Sequence, residues 1–254
     1  MFDFSGLVAV ITGASSGLGV QFARALAAQG ANLVLLARRV PKLQAVADEV
    51  RDMFGVEVLP VGCDVTNLDQ VRAAVDAVDA RFGRADILVN NAGTGGVAPA
   101  LDMTDEQWDA DIALDLTATF RVTREFMNRL IKRSDCGRVI NISSMYGLVG
   151  NTTIPTSAYH AAKGGVVNLT RALAAEWAKD SVTVNCICPG YFETELTAEA
   201  LKTPEFQEYV KQWVPLGRQG KAGELNTALL FLASPESSYV TGTSVVVDGG
   251  YTCV

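Results

Sequence analysis

The feature that most constrains this chain is a regular alternation of short apolar runs with longer segments of helical periodicity. Runs of strand length stand at Leu7–Thr12, Asn32–Ala37, Glu57–Cys63, Asp86–Asn90, Arg138–Ser143, Val182–Cys188 and Ser244–Asp248. Several are nearly continuous in Val, Ile and Leu. That pattern suits parallel strands covered on both faces, because a strand with one wet face would alternate. Helix-length segments lie between them at Gly17–Gly30, Pro41–Phe54, Leu68–Phe82, Thr104–Lys132, Ser157–Lys179 and Lys221–Ala233. Pro41 is acceptable in a first helical turn, and Thr104-x-x-Gln107 has the form of a capping box. The expected fold is therefore α/β, one doubly wound parallel sheet with right-handed crossovers.

A length of 254 residues, with 49% hydrophobic residues, suits one large α/β domain and excludes a disordered or collagen-like chain. The net charge of −7 disfavours nucleic acid or an anionic membrane as partner. No apolar run approaches the ~18 residues of a membrane span, and Met1–Ser5 opens no signal peptide. Five cysteines (Cys63, Cys136, Cys186, Cys188 and Cys253), odd in number and without C-x-x-C spacing, are expected to be reduced thiols of a cytoplasmic protein. With His160 as the sole histidine, no metal centre is expected.

One segment breaks the rhythm. Residues 190–217, after the sixth strand, carry Tyr191, Phe192, Phe206, Tyr209 and Trp213 among charges. Ligands of open α/β sheets bind beyond the carboxyl ends of the strands, so this insertion reads as a substrate lid, or as a peripheral helical pair burying its aromatics.

The first strand runs into Thr12-Gly13-Ala14-Ser15-Ser16-Gly17-Leu18-Gly19 and then a helix. Glycines there permit a tight turn and close approach of a phosphate, while the helix N-terminus offers free N–H groups to a pyrophosphate. The spacing is G-x-x-x-G-x-G. The same stretch contains Gly13-x-Ser15-x-Gly17, the form of a hydrolase nucleophile elbow, for which His160 would be the one available base. The second strand ends Leu35-Leu36-Ala37-Arg38-Arg39. A site for NAD wants a carboxylate near that point, to bind the ribose 2′-hydroxyl. Guanidinium groups suit the 2′-phosphate of NADP instead, with Arg38 as the main discriminator and NAD the poorer fit.

Tyr159-x-x-x-Lys163 puts a phenol and an ammonium on one helical face. A free tyrosine titrates near ~10, and a neighbouring cation favours its phenolate, which equips the pair for general acid–base work. Ser143-Ser144, at the end of the preceding strand, could bring a hydroxyl to the same pocket. A serine donor and a tyrosine acid on one carbonyl oxygen would stabilise the alkoxide of a hydride transfer.

Together, Thr12-Gly13-x-x-x-Gly17-x-Gly19, Asp64-Val65, Asn90-Asn91-Ala92-Gly93, Ser144, Tyr159-x-x-x-Lys163 and Pro189-Gly190 with Thr194 resemble the short-chain dehydrogenase/reductase family over essentially the whole chain. The resemblance implies a single Rossmann-type domain with a seven-stranded parallel sheet, and hydride transfer between a nicotinamide and a carbonyl or alcohol. It implies that Tyr159 is the acid/base, that Lys163 holds the ribose hydroxyls, and that Ser144 orients the carbonyl. Gly13, Ser15, Ser16, Gly17, Leu18 and Gly19 would cradle the dinucleotide. Asp64 would bind the adenine amino group beside Val65. Asn91, Ala92 and Gly93 would line the adenosine ribose, and Pro189, Gly190 and Thr194 would meet the nicotinamide.

One position departs from the family pattern, W-D-x-x-x-x-x-N-L. Trp108-Asp109 is followed there by Asp115-Leu116. The backbone carbonyl that holds a relay water in the family is kept, but an ionised carboxylate only accepts hydrogen bonds where an amide also donates. Asp115→Asn is accordingly expected to raise turnover. The long stretch from Ser144 to Tyr159 resembles gluconate 5-dehydrogenases most, beside 3-oxoacyl-carrier-protein reductases and hydroxysteroid dehydrogenases. Met145, Tyr146, Ile154, Tyr191 and Phe192 are candidates for the pocket wall or for packing. An apolar wall would favour steroid or acyl chains over a sugar acid, and the net acidity would slow encounter with an acidic carrier protein. The family resemblance also implies a homo-oligomer, dimer or tetramer, built on the two long helices. A non-catalytic dinucleotide-binding protein is the reading that Asp115 would favour against the intact Ser144, Tyr159 and Lys163.

Overall fold

The computed structural model describes residues 2–134, 137–194 and 197–254, apart from the side chain of Ala200. Seven strands form one parallel sheet: β1 (Val8–Thr12), β2 (Asn32–Ala37), β3 (Val58–Gly62), β4 (Ile87–Asn90), β5 (Gly137–Ile142), β6 (Val182–Pro189) and β7 (Ser244–Val247). Their order is β3-β2-β1-β4-β5-β6-β7. Strand order reverses between β1 and β4, and the crevice at that switch point is where such sheets bind ligands.

The strands are largely apolar because helices cover both faces, and the buried polar residues Asn90 and Asn141 are hydrogen-bonded to each other. Ala9, Ile11, Leu33 and Leu35 pack on one side with α1 (Gly17–Ala27), α2 (Val40–Phe54) and α9 (Asn226–Ala233). Val8, Val10, Val34 and Leu36 pack on the other with α3 (Leu68–Phe82), α5 (Ala118–Arg129) and α6 (Ser157–Trp177). Each fully buried Val, Leu or Ile contributes about 1.5–3 kcal/mol, so neither face of these strands tolerates a polar residue cheaply.

Two expected helices differ in detail. The segment from Thr104 opens with the expected capping box on α4 (Asp105–Ile112), then passes through a π-helical turn at Ala113–Thr117 before α5. There the Ala118 N–H bonds the Ala113 carbonyl, which widens the helix by one residue. The helix expected from Lys221 begins only at Asn226, because Gly223 takes φ +88° and its N–H bonds the Gln21 side chain. Residues 190–217 hold α7 (Ala198–Leu201) and α8 (Pro204–Trp213), the latter capped by the Thr203 hydroxyl. Cys63, Cys186, Cys188 and Cys253 are free thiols, and Cys136 lies outside the described residues. No helix among the described residues is long and apolar enough to cross a membrane.

Candidate active site

The glycine-rich turn is built by contacts that only glycine permits. A Cβ on Gly13, whose φ is +66°, would lie 2.9 Å from the Ala92 Cα and from the Asn91 Nδ2. A Cβ on Gly19 would collide with the Gly13 carbonyl. Asn91 donates from its side chain to the Thr12 carbonyl at 2.9 Å, and its N–H, with that of Ala92, donates to the Thr12 hydroxyl at 2.9 and 3.0 Å. Turn and β4 end are thus one unit. Ser16 is the N-cap of α1 but makes no side-chain capping bond, and no acidic residue occupies the first turn. The helix N-terminus therefore keeps its positive end open toward an anion, a fit for a pyrophosphate. Leu18 packs partly buried against the core.

At the end of β2 the two arginines divide their work. Arg39, not Arg38, reaches across the turn, donating to the Ser16 hydroxyl at 2.7 Å and the Ser15 hydroxyl at 3.3 Å. Arg38 acts on Asp64, whose carboxyl lies below its ordinary range chiefly because Thr66 donates to it, with Arg38 adding to the effect. Asp64 accepts from the Thr66 hydroxyl at 2.7 Å and the Thr66 N–H at 3.0 Å, and Val65 beside it is buried. The Arg39 contact went unforeseen. Its signal was only that it neighbours Arg38, and which of two adjacent strand-end residues folds back depends on the entry of the chain into α2.

Tyr159 and Lys163 lie on α6, with the Lys163 Nζ 5.5 Å from the Tyr159 ring centroid. Lys163 is buried and donates to the Asp115 carboxylate at 2.9 Å and to the Ile142 carbonyl at 3.1 Å. Ser143 fixes the same turn of α6 by donating to the Lys163 carbonyl at 2.8 Å. Ser144, buried at the carboxyl end of β5, accepts from the Tyr146 N–H at 3.1 Å. The π turn puts Asp115 at the centre of this set. Its carboxylate also accepts the Thr94 N–H at 3.3 Å, and a Cβ on Gly93 would collide with it. Sequence reasoning assigned the work of this position to a backbone carbonyl. In the structure that carbonyl accepts from the Thr119 hydroxyl at 3.2 Å, and the side chain meets Lys163 directly. Burial alone would push the Lys163 ammonium down, but Asp115, with Tyr159 behind it, holds it above its ordinary value. Burial pushes the Asp115 carboxyl up, against the pull of Lys163.

The sheet places the remaining expected residues around these. Pro189 ends β6, and a Cβ on Gly190 would lie 2.6 Å from the Asp248 Cα, which ties the root of the 190–217 segment to the end of β7. Thr194 lies over Gly17, 3.3 Å from where a Cβ would stand. Of the candidate wall residues, Phe192 packs into the core and Met145 is buried. Tyr146 and Tyr191 instead join their hydroxyls at 2.5 Å, with Tyr146 edge-on to Tyr159 at 6.5 Å. A cavity of about 380 Å³ is walled by Tyr191 together with Phe192, Val214, Leu216, Arg218 and Val247. The hydrolase reading fails here. Ser15 meets Arg39, while His160 stacks on Tyr146 and donates from Nδ1 to the Thr156 carbonyl at 2.8 Å. Among the described residues no three His, Cys, Asp or Glu side chains are placed to hold a metal.

A dinucleotide-type cradle at the switch point, with buried Ser144 at the end of β5 and Tyr159 beside the buried Lys163 on α6, fits a nicotinamide-dependent oxidoreductase of the Rossmann class. A family model described as enoyl-(acyl carrier protein) reductase matches residues 13–252. Galactitol 2-dehydrogenase (L-tagatose-forming) of Cereibacter sphaeroides is 39% identical over 99% of this chain and 97% of that protein. A 3-oxoacyl-acyl-carrier-protein reductase of Thermotoga maritima is 38% identical over 96% of this chain and 97% of that protein. The solved gluconate 5-dehydrogenase of Burkholderia cenocepacia J2315, in complex with NADP and tartrate, superposes with TM-score 0.93 at 38% identity, covering 100% of this chain and 98% of that one. The chain belongs to the short-chain dehydrogenase/reductase family and is an oxidoreductase acting on CH–OH groups.

Proposed function

We propose that the protein is an NADP-dependent enzyme that moves a hydride between the nicotinamide and a secondary alcohol or ketone derived from a sugar, with Tyr159 as acid/base. The observation that carries the chemistry is the Lys163 ammonium, held beside the Tyr159 ring by Asp115 and the Ile142 carbonyl. The preference for NADP rests on Arg38 and Arg39, which stand where a carboxylate would read a free 2′-hydroxyl. The complex of a similar protein with NADP supports it.

In this reading Gly13, Ser15, Ser16, Gly17, Leu18 and Gly19 hold the pyrophosphate, and Arg38 binds the 2′-phosphate while Arg39 braces the turn. Asp64 and Val65 take the adenine, Asn91, Ala92 and Gly93 the ribose, and Pro189, Gly190 and Thr194 the carboxamide end. When bound, the cofactor supplies or accepts the hydride. Ser144 donates a hydrogen bond to the substrate oxygen, and Tyr159 delivers a proton to it in reduction or takes one in oxidation. Lys163 steadies the phenolate charge and the ribose hydroxyls, and Asp115 fixes the direction of its N–H groups. The 190–217 segment covers the substrate. The sugar-derived substrate is supported by the names of two relatives, a galactitol and a gluconate dehydrogenase. The 3-oxoacyl relative keeps a β-ketoacyl thioester as second reading. The protein works in the cytoplasm as a homo-oligomer, dimer or tetramer.

The test is oxidation of NADPH and NADH against a keto-sugar acid, a neutral ketose, a ketosteroid and a β-ketoacyl thioester. Turnover of a sugar-derived ketone with NADPH preferred is the expected result. Equal use of NADH would refute the Arg38 assignment, and turnover of the thioester alone would refute the sugar reading.

A further inference from the structure

Four tyrosines from four separate places in the chain converge, and one of them, Tyr146, lies edge-on to Tyr159 at 6.5 Å. Tyr146 follows Ser144 by two residues, Tyr191 follows Gly190, Tyr209 lies on α8, and Tyr251 opens the turn Tyr251–Cys253 after β7. Tyr146 and Tyr191 share a hydrogen bond of 2.5 Å, and Tyr209 and Tyr251 one of 3.0 Å. The rings meet mostly edge to face, Tyr146 with Tyr191 at 6.3 Å, Tyr146 with Tyr251 at 6.3 Å and Tyr191 with Tyr251 at 5.8 Å. Phe206 closes on Tyr191 at 5.0 Å, edge to face.

We infer that this tyrosine cluster is the specificity wall of the site and selects a neutral, polyhydroxylated chain, an acyclic polyol or its ketose. The inference deepens the proposed oxidoreductase reading and rests on it. Each phenol carries one proton and two acceptor lone pairs, so even with all four protons used inside the cluster the four keep spare acceptors for hydroxyl donors. Such a wall can answer several vicinal hydroxyls at once, and the ring faces pack against the C–H groups between them. A long acyl chain or a steroid would cover those spare acceptors without answering them, which costs free energy in a half-buried site.

Among the described residues, the basic side chains of the covering segment and its edge, Lys202, Lys211 and Arg218, each already face a carboxylate. Arg218, in the cavity wall with Tyr191, is bound through both terminal nitrogens to Glu224 at 2.8 Å each and also donates to the Gln219 carbonyl. Lys202 lies against Glu193 at 3.5 Å. A sugar acid would therefore bring its charge to a wall of neutral phenols, at a desolvation cost that no described ion pair offsets.

Tyr251 is the most informative position. It lies in the turn Tyr251–Cys253 after β7 and its hydroxyl bonds Tyr209, so that hydroxyl can be removed without taking a hydrogen bond from Ser144, Tyr159 or Lys163. The experiment compares sorbitol, gluconate and 2-butanol as alcohols for the full-length enzyme and for Tyr251→Phe, with NADP and NAD each present in turn. Sorbitol is expected to be used at least tenfold better, in kcat/KM, than either gluconate or 2-butanol. Tyr251→Phe is expected to lower kcat/KM for sorbitol about fivefold, the worth of one neutral hydrogen bond, through KM, and to leave 2-butanol unchanged. Gluconate or 2-butanol matching sorbitol would overturn the inference while the oxidoreductase reading stands. An equal loss on sorbitol and 2-butanol in the variant would also overturn it, since that marks a packing role. No turnover of any alcohol with either cofactor would sink both.

Discussion

Asp115 is the residue that holds the charge of Lys163 in the proposed active site. In a buried pair, each charge is tolerable because the other is present, and removing one strands its partner. Asp115→Ala is expected to cost about 3–5 kcal/mol, read as a fall in the thermal or urea midpoint. Asp115→Asn keeps the shape and an acceptor for Lys163 but removes the negative charge. Lys163 then favours the Tyr159 phenolate without opposition, so alcohol oxidation near neutral pH is expected to run faster while the midpoint still falls. A slower Asp115→Asn enzyme in steady-state assays would mean that the carboxylate does chemistry of its own. Position 115 was visible in the sequence as an aspartate at an unusual place. That its side chain and not its carbonyl would face Lys163 was not visible, because it follows from the π turn and from the close approach of Gly93.

At the scale of elements, strands and site carriers were largely legible because their causes are local. Near-continuous apolar runs marked β1 and β2, apolar runs interrupted by Asn141 and Asn185 marked β5 and β6, and the spacing of Tyr159 and Lys163 put both on one face of α6. What depends on tertiary fit was not legible. The π turn between α4 and α5 leaves no mark on periodicity, and the start of α9 is set by the bond from Gly223 to Gln21. The tyrosine cluster unites positions 146, 191, 209 and 251, which no local window contains. The glycine turn gives a sharp prediction. Gly13→Ala adds a Cβ against the backbone of Ala92 at a positive φ, so the turn or β4 must move. It is expected to weaken NADPH binding at least tenfold by fluorescence titration. A second prediction concerns the Arg218–Glu224 clamp ahead of α9, where Arg218, chiefly, and the Lys221 N–H hold the Glu224 carboxyl down to about 2. A depressed carboxyl stabilises the fold above its ordinary value of 4.5 and loses that contribution as pH falls toward about 2. Glu224→Gln is thus expected to lower Tm at pH 7, with the gap from the parent protein closing below pH 4.5. A gap that stays constant with pH would exclude the ion pair as its cause.

On the scale of the whole molecule, the proposed catalytic groups gather at the carboxyl end of β5, and apolar side chains are left exposed elsewhere. Trp108 on α4, Phe120 on α5, Phe231 on α9 and Val246 on β7 are each 37–41% exposed. The long helices, expected from sequence to be either fully buried or paired with a second subunit, are buried on the sheet side and carry Trp108 and Phe120 outward. Self-association through these faces is the proposed use of that surface, and light scattering coupled to size exclusion is expected to give a dimer or tetramer that Phe120→Glu dissociates. The account as a whole stands on Tyr159 moving the proton while the cradle around Gly13 binds the cofactor independently. The most direct measurement is Tyr159→Phe, followed for NADPH binding by fluorescence and for ketone reduction by absorbance. Binding within twofold of the parent protein, with turnover reduced by about 10²–10⁴, is the predicted result. A variant that binds NADPH and keeps more than a tenth of the parent turnover would contradict it.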